Sequence, residues 1–259
     1  TSNLFPAFTP VHIGSLGSAA VAALTTDQVA AFGTDDIAAI STKSLASLTT
    51  ANLAVLSTDQ AAALTNAQVA VLTTSQIGGL TSDQAAALTT SQIATLSSTQ
   101  AKALTTANVA ALSTTQVAAF TSTSVAALTT DQVGALTTEQ VEALTTTQVA
   151  ALGSASLGAL GSDDIVTFST ADVAAIAAKA LSGLSTGNVA ALTTDQVAAL
   201  TSSQLLALST AQVQALTTDQ LVSLTTTQVN SLSSAQVASL STGNLAVLGT
   251  DQIVALNAK

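Results

Sequence analysis

Chemistry needs side chains that titrate, attack or ligate, and this chain of 259 residues carries few of them. Cys, Met, Trp, Tyr and Arg are absent, and the single histidine is His12. Disulfides, thiolate nucleophiles, Cys-ligated metals and arginine clamps for phosphate are therefore excluded. Adjacent carboxylates occur only at Asp35/Asp36 and Asp163/Asp164. Paired carboxylates are hard oxygen donors of the kind Ca²⁺ takes, but no EF-hand or glycine-aspartate nonapeptide spacing surrounds either pair. They read instead as acids in the first turn of a helix. His12 has no second histidine or cysteine to work with, so neither catalysis nor metal binding is expected of it. The residue inventory predicts no enzyme, no metal and no cofactor.

The charge balance narrows the partners. Twelve Asp and two Glu oppose Lys43, Lys102, Lys179 and Lys259, giving a net charge of −10. Nucleic acid and anionic membrane surfaces would be repelled, since both are bound through clusters of Lys and Arg. Disorder does not follow from the low charge, because 48% of the residues are hydrophobic and the mean hydropathy is +0.57. Such a chain must bury something. Ser/Thr pairs interrupt every apolar run well before the roughly 20 residues that a bilayer crossing needs, so no membrane insertion is expected. The chain starts at Thr1 without an initiator Met, which reads as a processed chain or an excerpt of a longer one.

What must position these few groups is a repeat. An eight-residue period of the form V-A-A-L-T-T-D-Q runs without insertion or deletion from end to end. If octad k ends at residue 8k, column eight is Leu, Phe or Ile throughout, from Phe8 and Leu16 to Leu256. Column five is Val, Ile, Leu or Phe, with Ala at Ala61, Ala85 and Ala101. Column one is mostly Thr or Ser and column four mostly Gln, as in Thr25-Thr26-Asp27-Gln28 and Thr193-Thr194-Asp195-Gln196. That is the capping-box signature: the Thr hydroxyl accepts from the N3 amide while the Gln side chain reaches back to the cap. The flanking Leu and Val make a hydrophobic staple, Asp in column three suits the helix dipole, and Pro10 falls at the first helical position.

Each octad is thus predicted to open its own short helix. A single continuous helix would rotate the Leu column by about 80° per octad and bury no seam. A β-solenoid needs inside positions of one parity, which columns five and eight violate. Helices of about six residues do not persist alone. They survive by stacking, which is the logic of a solenoid. The predicted fold is therefore all-α: a superhelix of very short helices around an axis of columns five and eight, including Val29, Leu64, Leu112, Val197 and Leu200. Thr25, Gln28, Thr193 and Gln196 represent the caps. Columns three and six face outward, and column seven touches the next coil.

A longer period overlies the octads. Ala31–Lys43 recurs as Thr167–Lys179, an offset of 17 octads, and Asn52 and Asn108 map onto Asn188 and Asn244. Residues 1–12, with Phe5, Pro6, Phe8 and Pro10, read as an N-terminal cap or docking segment. Residues 13–259 read as one continuous solenoid, built of a 17-octad unit (13–148) and a partial copy (149–259).

The octads around residues 20 and 190 resemble the long Ala/Thr/Gln-rich octapeptide arrays of very large bacterial secreted or surface proteins, often described as adhesin-like or haemagglutinin-like. The resemblance implies an extracellular or cell-surface structural protein that serves as a stalk or filament. Self-association is the expected partnership, with Phe5 and Phe8 docking on the end formed by Leu248, Ile253 and Leu256. Exposed second-position Thr and Ser suit O-glycans, whereas no N-glycosylation sequon occurs. A scaffold binding through its outer columns and an ice-binding module built on Thr arrays are the alternatives.

Overall fold

The structure, a computed structural model, describes residues 9–257, the side chain of Asn257 apart. Among the described residues there are thirty α-helices, from Pro10–Gly14 to Thr250–Asn257, and one 3-10 helix, Ala178–Gly183. Each octad contributes one. The protein is an all-α repeat solenoid. Its contacts divide into two compact units, Thr1–Leu128 and Thr129–Lys259.

The bend between helices is made without glycine. In the octad ending at Leu64, the helix Thr58–Ala63 stops because Leu64 turns to φ −56°, ψ 132°, and Thr65 follows at φ −70°, ψ 156°. Two extended residues turn the corner, and no described residue has a positive φ. Many helices end on a left-handed glycine, but here the column-eight Leu leaves the helix through ψ alone, which any side chain tolerates. Two backbone bonds recur in the α-helical octads: column five N–H to the column-one carbonyl, as Val69 to Thr65 at 3.0 Å, and column eight N–H to the column-five carbonyl, as Leu72 to Val69 at 3.2 Å.

Within each unit, helices pack on those three octads away, as Thr34–Ala39 on Thr58–Ala63 and Ser202–Ala207 on Thr226–Ser231. Columns five and eight form the core: Val29 and Val197 are 0% exposed, Leu64 and Leu200 3%, Leu112 4%. Each such side chain contributes about 1.5–3 kcal/mol when fully buried. Ala61, Ala85 and Ala101 are also fully buried.

A third column lies inside. Column four, assigned from sequence only to capping, is as buried as the Leu axis: Gln68, Gln92 and Gln148 are 1% exposed, and Gln84 and Gln204 2%. The two-column core is therefore corrected to three, one of them polar. Burial of a primary amide is costly unless all of its hydrogen bonds are made. Here they are made, by partners on two turns of the coil.

A candidate functional element: the amide ladder

Each column-four glutamine does two things at once. In the octad of Gln84, Oε1 accepts from the N-cap N–H of Thr81 at 2.9 Å, and the Gln84 N–H donates to Thr81 Oγ1 at 3.2 Å. Nε2 points the other way and donates to the carbonyls of Leu53 and Leu56, both at 2.8 Å. These acceptors lie 31 and 28 residues earlier. The same pair of offsets recurs for Gln68, Gln76, Gln100, Gln196, Gln204, Gln212, Gln220, Gln236 and Gln252. A ladder of amides thus staples each turn of the coil to the one before it. Leu56 lies just ahead of the N-cap of Thr58–Ala63, the helix three octads back on which Ser82–Ala87 packs, so the rung spans one three-octad turn of the coil.

Shorter donors also serve. Asn108 Nδ2 reaches the Leu80 carbonyl at 3.0 Å and Asn188 Nδ2 reaches that of Leu160 at 2.9 Å. Ser44 and Ser124 donate through Oγ to the carbonyls of Leu16 and Leu96, both at 2.8 Å. These four residues give up the second acceptor, the column-five carbonyl, but keep the column-eight bond.

The cap residues stand as follows. Thr25 Oγ1 accepts from Gln28 N–H at 3.3 Å, and Gln28 Oε1 from Thr25 N–H at 2.9 Å. Gln28 is half-buried where later rungs are buried. Thr193 and Gln196 make the reciprocal pair at 2.9 and 3.1 Å. The aspartate pairs are first-turn acids: Asp36 Oδ2 accepts from Gly33 N–H at 3.0 Å and Asp164 Oδ2 from Gly161 N–H at 2.9 Å. His12 Nδ1 occupies the glutamine's place, 3.2 Å from the Thr9 nitrogen. Among the described residues no three His, Asp or Glu gather as a metal set would require, and no helix is long and apolar enough to cross a membrane.

The outer face carries the charges. Glu139, in column three, is exposed, and its carboxyl is held below the ordinary glutamate range by a backbone N–H in the first helical turn and by the Thr137 hydroxyl. Column six is mostly exposed and accepts large side chains, among them Lys102, Glu142, Leu206 and Val222. At the C-terminal end of the second unit, Leu248, Ile253 and Leu256 are only half-buried, and Val254 is 62% exposed. Phe5 and Phe8 lie outside the described residues.

A sequence signal for the ladder exists in column four itself. Glutamate satisfies a capping box as well as glutamine does, yet none of the octads places Glu there; Glu139 and Glu142 sit in columns three and six. A cap needs only an acceptor, whereas a rung needs an N–H or O–H as well.

This pattern has a family. The ALTTAQ repeat model matches residues 5–34, 29–66, 62–90, 109–146, 138–170, 165–202, 202–234 and 226–258. The chain belongs to the ALTTAQ repeat family. The Ala-Leu-Thr-Thr core of that description spans columns seven, eight, one and two, followed by column-four Gln, so the repeat takes in both the corner and the rung. None of the curated proteins compared matches the chain.

Proposed function

We propose that this ALTTAQ repeat protein is a structural spacer: a non-enzymatic, extracellular or cell-surface array that extends by adding octads and associates with copies of itself end to end. The observation that carries the reading is the amide ladder. Buried polar groups are here spent on binding one turn to the next, so a repeat's chief partner is another repeat. The resemblance to octapeptide arrays of bacterial surface proteins supports an adhesin-like stalk or filament outside the cell.

The half-covered last described turn of the second unit supports end-to-end contact. Leu248, Ile253 and Leu256 belong to columns that are buried elsewhere. Docking of the Phe5 and Phe8 segment of a second copy would cover them. Such a heterologous contact does not close on itself and propagates into filaments. Electron microscopy and sedimentation velocity on the purified chain test this. Concentration-dependent rods that shorten to monomers in a Leu248→Asp/Leu256→Asp variant are expected; dispersed monomers across all concentrations would remove the filament reading. Accessibility of the chain to protease on intact cells tests its location.

A further inference from the structure

Inside the second unit, a stretch of the array just ahead of Asn188 carries no rung. Three successive octads there carry Asp164, Asp172 and Ala180 in column four. Rungs run from Asn188 through Gln252. An ionised carboxylate accepts hydrogen bonds and donates none, and Ala180 offers neither. The carbonyls of Leu136, Leu144 and Leu152, which hold the column-eight acceptor positions for these three octads, therefore receive no side-chain rung.

The two carboxylates are engaged elsewhere. Asp164 takes the Gly161 N–H on Oδ2 and the Thr138 hydroxyl on Oδ1, each at 2.9 Å. Asp172 takes the Ser169 N–H at 3.0 Å and the Ser169 hydroxyl at 2.6 Å. Both are half-buried, where the glutamine rungs are buried. Side-chain length is not the obstacle. Asn188 has the length of an aspartate and reaches its carbonyl at 2.9 Å, while the still shorter Ser44 reaches at 2.8 Å. What is missing is the donor.

Local signals weaken in the same stretch. The N-caps Gly153 and Gly161 make no side-chain cap bond. Ala177 is the one column-one residue among the complete described octads that is neither Ser, Thr nor Gly, and its octad folds as the 3-10 helix Ala178–Gly183. Backbone proximity takes over here. A Cβ on Gly183 would overlap the Ser154 carbonyl, and one on Gly158 would lie 2.9 Å from the carbonyl oxygen of Gly183. Beside this contact an open groove runs between Ala150–Ser154 and Ala177–Ala180. The turn is held by close approach of glycines instead of by amide rungs.

We infer that residues 153–184 are a built-in opening point of the second unit, which separates from the coil beneath before the laddered stretch from Asn188 to Gln252 unfolds. Asp164 and Asp172 make it so, because they occupy rung positions without being able to act as rungs. Local opening is set by how many interactions must break together, and no amide rung ties the octads of Asp164, Asp172 and Ala180 to the preceding coil.

Amide hydrogen exchange followed by mass spectrometry on the full chain tests the proposal. Peptides from 153–184 should exchange at least about ten-fold faster than those from 193–232, after correction for intrinsic rates. Asp164→Asn/Asp172→Asn should slow exchange in 153–184, by roughly two- to ten-fold for each rung gained. Asp195→Asn/Asp219→Asn changes exposed column-three acids outside the ladder and should leave the same peptides unaltered. Equal protection of the two segments in the unmodified chain would overturn the proposal without recourse to any variant. So would a folded double variant that exchanges as before, or an equal slowing by the control pair.

Discussion

Replacing one buried rung measures what the ladder contributes. Gln84→Ala removes two donors from the Leu53 and Leu56 carbonyls, each bonded at 2.8 Å, and the acceptor for the Thr81 N–H. Thr81 is exposed, so its N–H finds water and the cap loss costs about 0.5–1 kcal/mol. The Leu53 and Leu56 residues are 0% and 5% exposed; the Leu53 carbonyl keeps the Leu56 N–H at 3.1 Å and loses one bond, about 0.5–1.5 kcal/mol, whereas the Leu56 carbonyl is stranded, at about 1–3 kcal/mol. Together these give a destabilisation of about 2–5 kcal/mol. Gln84→Asn should cost only about 1 kcal/mol, since Asn108 shows that the shorter amide retains the column-eight bond. Gln84→Glu keeps the cap acceptor but sets a carboxylate against two carbonyls, and should cost at least as much as the alanine. Urea unfolding followed by far-UV circular dichroism gives the three values. If Gln84→Ala costs no more than Thr81→Ala, the buried amide is a cap and nothing else, and the ladder argument is wrong.

Three further outcomes follow from the same geometry. Thr193→Val deletes the acceptor for the Gln196 N–H and should cost about 1 kcal/mol, while Thr194→Val at the exposed neighbouring position stays within about 0.5 kcal/mol; thermal melts of the pair decide it. Gly183→Ala places a methyl group on the Ser154 carbonyl and should destabilise by about 3 kcal/mol or more, whereas Gly187→Ala, with only Ser185 Oγ at 3.6 Å, should be tolerated; urea midpoints of the two variants separate them. Glu139 has its folded value depressed, so its contribution is complete above the ordinary glutamate range and disappears as the pH falls through the depressed value. Any stability difference between the native chain and Glu139→Gln should therefore be present at neutral pH, vanish in strong acid and shrink with added salt.

The helices were legible in the sequence because their determinants are local. A Thr in column one and a Gln in column four lie within one turn of each other, and the Val and Leu that flank them form a staple over the same few residues. The number of octads per turn was not legible, because it is set by which carbonyl an amide meets on the preceding turn of the coil, and an eight-residue period is silent on that. The rung role of Gln84 was hidden for a related reason. Its capping role already accounts for its presence, and only the exclusion of Glu from column four reveals the second. The 3-10 turn at Ala178–Gly183 was not legible: its octad loses both polar signals, at Ala177 and Ala180, but so does the octad of Gly17 and Ala20, whose helix Ser18–Ala22 is α-helical. Phe5 and Phe8 fall outside the described residues, so their docking stays a proposal.

The fixed spacing between rung and acceptor also governs how such an array tolerates editing. A rung depends on the distance along the chain to its acceptor, so deleting or adding a whole octad leaves every downstream amide facing an equivalent carbonyl. A single inserted residue acts differently. It throws one turn of the coil out of phase with the turn beneath, after which donor and acceptor have both shifted and pairing resumes. The damage is one turn wide and self-healing, so length can drift freely in steps of eight while every other step is penalised by one turn's worth of broken rungs.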